Sequence, residues 1–321
     1  MENELNITYI MLGGFVDLNK YRYVYFLLMF TVYILIICSN STIVCFIVIH
    51  QNLHEPMYIF IAALSLNSVL LSTAIYPKLF IDFLSEKQII SYTACLFQYF
   101  IYYSLGGSEF LLLTAMSYDR YVSICKPLQY PTIMRRKTIS ILLLLAWLIP
   151  ALHVVVPVLL GREKKPCNFS LKGIFCNNSV LKFHCVSARV ISVYGLVVLL
   201  NVALVPVLFI LFTYTKILII LYRSSREVRK KAAQTCLPHL LVLISFSCLC
   251  AYDIIIVRLE SDFPKIAHLI MTLQVVLYQP LFNPIIYGLK MKEIYKHLKS
   301  FFCQVFVNPD KTHNSRITAD Y

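Results

Sequence analysis

Uncharged stretches long enough to cross a bilayer recur along the whole chain. Runs without Asp, Glu, Lys or Arg cover Tyr23–Ile49, Pro56–Pro77, Thr138–Leu160, Val190–Thr215 and Ile266–Leu289. Tyr92–Tyr118 is interrupted only by Glu109, and Ala232–Val257 only by Asp253. About 20 apolar residues in a helix span about 30 Å of hydrocarbon. The pattern therefore predicts seven transmembrane helices, over residues 23–49, 56–79, 92–118, 138–160, 190–220, 232–257 and 266–289. Membrane strands would be about 10 residues long and alternate in polarity, which these runs do not. The expected fold is an all-α seven-transmembrane helix bundle with its two ends on opposite sides of the membrane.

After the last run, Met291, Ile294, Tyr295, Leu298 and Phe301 recur at helical spacing, with Lys292, Lys296 and Lys299 between them. That predicts a short amphipathic helix over 290–302, lying on the membrane surface. The chain divides into an N-terminal segment 1–22, a bundle 23–289 and a tail 290–321. Lys and Arg set the orientation: 17 would face the cytosol and 12 the other side if the tail is inside. Six of the outer ones crowd Gly161–Arg189 and weaken the bias. The sequon Asn6-Ile7-Thr8 suits an extracellular N-terminus and a glycan at Asn6. Sequons at Asn168 and Asn177 fall in a loop already placed outside. Asn40-Ser41-Thr42 lies within the first run and is read as a chance match. Residues 1–20 lack the features of a removable signal, so the first run is expected to act as signal and anchor together.

Composition supports lipid as the solvent. The chain is 59% hydrophobic and 14% charged, against about 25% charged for soluble domains. The net charge of +13 lies in short strips beside the apolar runs. Anionic lipid head groups explain such strips better than nucleic acid does. The eleven cysteines divide by compartment. Cys95, at the start of the third run, and Cys167, Cys176 and Cys185 between the fourth and fifth face an oxidising side, where disulfides are expected. A metal site would want tighter spacing, and no metal or cofactor is expected. Cys303 is read either as an acylation site or as a plain thiol. There is no HExxH, no GxSxG and no pair of intramembrane acids on facing spans, so no enzyme is expected. A transporter would show internal repeats and charges at the midplane, and no repeat is visible.

Four strings then resemble one family. Met116-Ser117-Tyr118-Asp119-Arg120-Tyr121-Val122-Ser123-Ile124-Cys125-Lys126-Pro127-Leu128 closes the third run. Leu53-His54-Glu55-Pro56-Met57-Tyr58 opens the second, and Lys231-Ala232-Ala233-Gln234-Thr235-Cys236 with His239 opens the sixth. Pro280-Leu281-Phe282-Asn283-Pro284-Ile285-Ile286-Tyr287-Gly288 closes the seventh. The Asp-Arg-Tyr triplet and the Asn-Pro-x-x-Tyr string resemble rhodopsin-like G-protein-coupled receptors. The longer strings resemble odorant receptors, over about residues 20–300.

The resemblance implies a plasma-membrane receptor that binds a small odorant within the bundle and activates a stimulatory G protein, raising cyclic AMP. The other reading considered is a rhodopsin-like receptor for a peptide or hormone. On charge alone, Asp119 and Arg120 read either as an interfacial anchor or as a switch. The resemblance favours a switch that includes Tyr121, in which Arg120 is released to meet the G protein while Tyr214 and Tyr287 repack near it. His239 would belong to the inactive lock and Asn283-Pro284 would be a hinge. The family pattern pairs Cys95 with Cys176, leaving Cys167 with Cys185.

Two positions depart from the family. Ser68 stands where an intramembrane Asp is usual, which leaves Glu109 as the mid-membrane carboxylate. It is expected to be a structural and switching residue near Ser68 and Asn283, holding a proton, sodium or hydrogen bonds. Phe246-Ser247-Cys248 replaces a Phe-Tyr-Gly string and lacks the tyrosine. Candidate ligand contacts are Tyr102, Tyr103, Gly106 and Gly107 in the third run, Val198 and Val202 in the fifth, and Ser247, Cys250 and Asp253 in the sixth. The paired glycines read as room for a ligand or as close helix packing. Asp253 reads as a partner for an amine or as an interfacial acid.

Overall fold

In hydrocarbon a peptide group has no water to bond, so an apolar run closes its hydrogen bonds by folding as a helix. The computed structural model describes residues 9–162, 169–177, 180, 188–259, 265–290, 294–296 and 299. Its helices are α1 (Leu18–Ile49), α2 (Pro56–Leu84), α3 (Tyr92–Cys125), the single turn α4 (Tyr130–Ile133), α5 (Arg136–Arg162), α6 (Ala188–Leu199), α7 (Val205–Tyr222), α8 (Arg226–Leu259) and α9 (Lys265–Lys290). A π-turn over Leu200–Leu204 joins α6 to α7, so the two run on as one rod. Among the described residues, four rods are long and apolar enough to cross a membrane on their own: α1, α2, α5 and the α6–α7 rod. α8 bends by 45° between Arg226–Gln234 and His239–Ala251, with Pro238 in the join.

α3 is less apolar because it is the central helix. It packs on α2, α5, α7 and α8. Its polar side chains Gln98, Ser104, Ser108, Glu109, Ser117 and Asp119 are all buried inside the bundle, where protein rather than lipid satisfies them. α1 packs on α2 and α9, and α8 on α9. One apolar core gathers Phe110, Leu113 and Met116 with Tyr214 and Tyr287. A second gathers Tyr76, Phe83, Tyr102 and Phe175 toward the other end.

Three features differ from the sequence reading. α2 runs through Pro77 to Leu84, carrying Lys78 and Asp82 on one helix face. They form an ion pair, and Asp82 is buried. Glu109 is therefore not the one deeply buried acid: Asp82 and Asp119 are buried as well. Each carboxylate takes a cation from its own helix: Lys78 one turn before Asp82, and the neighbouring Arg120 for Asp119.

The second feature is a small sheet among the expected loops. β1 (Tyr9–Leu12) lies between β2 (Ile89–Ser91) and β3 (Ser170–Leu171), antiparallel to the first and parallel to the second. Ile10 and Leu12 point into a cluster with Leu171, Cys95 and Cys176. A strand of four residues carries too short an alternation to stand out beside runs of 20 apolar residues. The third feature is a fold of the N-terminal segment back over the bundle, with Phe15 against Phe83 at 5.8 Å.

Candidate functional site

The end of the bundle that carries the sheet also carries a disulfide. Cys95, at the start of α3, is bonded to Cys176, with Cα atoms 5.4 Å apart. The Cys176 N–H donates to Gln98 Oε1 at 3.0 Å, one turn along α3. These two links hold the loop segment Ile174–Cys176 across the helix ends. Phe175 turns inward onto the Tyr102 ring, centroid to centroid 5.0 Å. Tyr103 stacks edge-on to Tyr102 at 4.9 Å and lies 4.7 Å from Tyr99.

One turn farther along α3 the two glycines separate in role. A Cβ on Gly106 would meet nothing within 4 Å. A Cβ on Gly107 would stand 2.7 Å from the Pro150 side chain and 2.8 Å from that of Val202. Gly107 therefore lets α5 and the π-turn press against α3. Val202 is used up in that packing and is buried. Gly106 faces space. Below it, Phe110 packs on Phe246 of α8 at 4.6 Å, and Ser247 beside Phe246 keeps a buried hydroxyl with no partner among the described residues. Val198 and Cys250 are half-buried. The side chain of Asp253 lies outside the described residues, as do Asn6, Cys167, Cys185 and Cys303 and most of 290–302.

Midway along the bundle three expected neighbours meet. Asn283 Nδ2 donates to Glu109 Oε1 at 2.9 Å and to Ser68 Oγ at 3.4 Å. All three are buried. The adjacent Pro284 has no N–H, so the carbonyl of Pro280 one turn earlier loses its helical partner. Asn40 Nδ2 supplies the missing hydrogen at 2.8 Å. Asn40 was passed over as a chance sequon. Its signal was the single amide side chain in the uncharged run Tyr23–Ile49. Tyr287, one turn beyond Asn283, is fully buried, and its hydroxyl has no partner among the described residues. Glu109→Gln keeps the shape and replaces the carboxyl group with an amide. If the chain signals through cyclic AMP as the resemblance implies, the variant is expected to retain surface expression while changing stimulated or ligand-free cyclic AMP by about threefold or more, since a buried hydrogen bond contributes about 0.5–1.5 kcal/mol. Dose–response curves at matched surface density check this.

At the opposite end Asp119 is fully buried and collects three hydrogen bonds. Arg120 Nε and Nη2 donate to Oδ2 at 2.9 and 2.5 Å, and the Tyr130 hydroxyl donates to Oδ1 at 2.8 Å. Burial and the neighbouring carboxylate push the Tyr130 phenol up from its ordinary value, so it stays a donor. Tyr121 packs half-buried against the same core. His239 bridges three helices. Its Nε2 lies 2.8 Å from the Leu113 carbonyl of α3, and its Nδ1 lies 2.6 Å from the Tyr214 hydroxyl of α7. A carbonyl only accepts, so Nε2 carries the proton; in the neutral ring Nδ1 then accepts from Tyr214.

A sequence profile described as olfactory receptor matches residues 29–305. Human olfactory receptor 4K3 is 31% identical over 97% of this chain and 98% of its own length. Human olfactory receptor 10AG1 is 34% identical over 91% and 97%, and the dog olfactory receptor-like protein OLF4 is 31% identical over 94% and 98%. The chain belongs to the olfactory receptor family. It is thus a multi-pass membrane protein of a signalling receptor family, not of an enzyme family. Sequence reasoning missed several residues of the receptor that organise the site: Gln98, Phe175, Tyr130, and the Asn67 that bonds Leu105 O at 3.0 Å and Trp147 at 3.3 Å. Each was visible as a polar or aromatic residue in or beside a span. Nothing in spacing said which partner it meets.

Proposed function

We propose that this receptor binds a small odorant at the disulfide end of a seven-span bundle and activates a stimulatory heterotrimeric G protein at the Arg120 end, raising cyclic AMP. The disulfide end is extracellular in this reading, with the tail in the cytosol and the receptor in the plasma membrane. The ligand site comprises Tyr102, Tyr103 and Gly106 of α3, Val198 of α6, and Ser247, Cys250 and Asp253 of α8. The switch comprises Asp119, Arg120, Tyr121, Tyr214, His239, Asn283, Pro284 and Tyr287, with Glu109 between the two. Phosphate-rich lipid head groups meet the basic strips around Arg223–Lys231.

The observation that carries the ligand site is the open space beside Gly106, set between the Phe175–Tyr102 contact above and Phe110–Phe246 below. Ligand pockets in proteins are concave and mainly apolar with a few polar anchors, and the residues proposed here are mainly apolar or aromatic with Ser247 and Asp253 as polar ones. A ligand that prefers the active bundle shifts the receptor toward it by its differential affinity alone.

The test is a cyclic AMP screen with amines, amino acids, aldehydes, acids and steroids; amines probe Asp253. Gly106→Val is expected to reach the surface and lose about tenfold or more in potency for the hit, because filling a pocket by even a few methyl groups costs about 1–3 kcal/mol. Gly107→Val is expected to fail to reach the surface at all. Equal potency of Gly106→Val and wild type would move the ligand elsewhere.

A further inference from the structure

We propose that the N-terminal strand β1 is a positioning element of the ligand site, fixing the loop segment Ile174–Cys176 that roofs it. This rests on the reading of the space beside Gly106 as the odorant site.

The roof has two anchors. On the α3 side it is held by the Cys95–Cys176 bond and by Gln98. On the other side the chain leading into it is held by the N-terminal segment. Met11 N–H donates to Phe169 O at 2.8 Å, Gly13 N–H to Leu171 O at 2.7 Å and Gly14 N–H to Gly173 O at 3.2 Å. β1 also binds the α2–α3 connection, where Leu12 N–H donates to Gln88 O at 2.8 Å. It is the central strand, so removing it leaves both neighbours without a ladder partner. Its side chains Ile10 and Leu12 are nearly fully buried beside the disulfide.

Gly14 shows how closely the two segments meet. A Cβ there would stand 2.6 Å from the backbone carbon of Gly173 and 2.8 Å from the backbone nitrogen of Ile174. Its φ is not positive, so the position demands space rather than left-handed backbone. The obstacle is backbone, which cannot swing aside as a side-chain tip does. Any β-carbon at 14 must push Gly173 and Ile174, and the next residue is Phe175, whose ring covers Tyr102. Gly13 differs: its added Cβ would be 3.4 Å from Leu171 O, an ordinary contact. Phe15 completes the coupling, packing against both the sheet cluster and the core that contains Tyr102 and Phe175.

The test compares wild type, Gly14→Ala and Gly13→Ala in the full-length receptor. Hydrogen exchange of the backbone over 169–177 is measured on purified receptor without ligand. Cyclic AMP potencies of hexylamine, hexanal and hexanoic acid are measured at matched surface density. Gly14→Ala is expected to speed exchange over 169–177 and to change the potency ratio between two of the probes by about fivefold or more, with ligand-free cyclic AMP unchanged; a displaced wall alters fit to one shape more than another. Gly13→Ala is expected to match wild type in both. Phe15→Leu takes the place of Gly14→Ala if that variant does not reach the surface, with the same expectation. Unchanged exchange would overturn the anchoring. Faster exchange with unchanged potency ratios would overturn the positioning role. If wild type answers none of the probes and no member of the wider screen, the odorant reading has failed and the exchange measurement alone decides whether β1 holds the roof.

Discussion

Arg120→Gln is expected to reduce the receptor at the cell surface by about tenfold or more and to abolish its cyclic AMP response. Asp119 is fully buried and both Arg120 contacts fall on one of its oxygens. Taking the cation away leaves a buried carboxylate whose remaining partner among the described residues is the Tyr130 hydroxyl. Breaking a buried pair from one side costs about 3–5 kcal/mol, a large part of the stability of a typical domain. The loss of signal then has two causes that one variant does not separate. The double variant Asp119→Asn with Arg120→Gln separates them. It removes the orphan charge and still lets residue 119 accept from Tyr130, so surface expression should recover to within about threefold of wild type. Signalling should stay absent, because no guanidinium remains to meet the G protein. A double variant that signals would show Arg120 to be an anchor and not part of the coupling surface.

His239→Phe should raise ligand-free cyclic AMP by about tenfold. The bridge from α8 to α3 and α7 depends on two ring nitrogens at 2.8 and 2.6 Å. Phenylalanine fills the volume and offers neither. The Leu113 carbonyl and the Tyr214 hydroxyl are then buried without these partners, at a cost of about 1–3 kcal/mol for each. That cost falls on the packed state described here. If α8 swings away on activation, the active state never had the bridge and does not lose it, so the equilibrium shifts toward activity. Tyr214→Phe removes one bond of the two and should shift basal signal in the same direction by less. The readout is ligand-free cyclic AMP normalised to surface receptor. Lowered basal signal in both variants would place the bridge in the active state.

Helices were legible in the sequence because a single force sets them. Long uncharged runs leave the backbone no alternative in lipid, and Asn283, Ser68 and Glu109 were expected to lie close and do. What was not legible depends on pairs of elements. Asp82 fell outside the expected span because that span was ended at residue 79, two residues past Pro77, whereas α2 runs on to Leu84; a proline in a helix can be carried when a neighbour satisfies the freed group. Asn40 does this for α9. The two glycines were left as either room or packing, and only the approach of Pro150 and Val202 separates Gly107 from Gly106. β1 escaped notice because its partners lie far along the chain, Tyr9 opposite Ser91 and Met11 opposite Ser170, and a four-residue alternation does not name its partner.

In the mechanism we propose, an odorant bound at one end of the bundle drives a stimulatory G protein at the other. Cyclic AMP is measured on adding the odorant screen to two cell lines expressing the receptor, one with and one without the stimulatory α subunit. The account predicts a dose-dependent rise in the first line, none in the second, and none in either line for the Asp119→Asn, Arg120→Gln double variant. A rise that survives loss of the α subunit would contradict it.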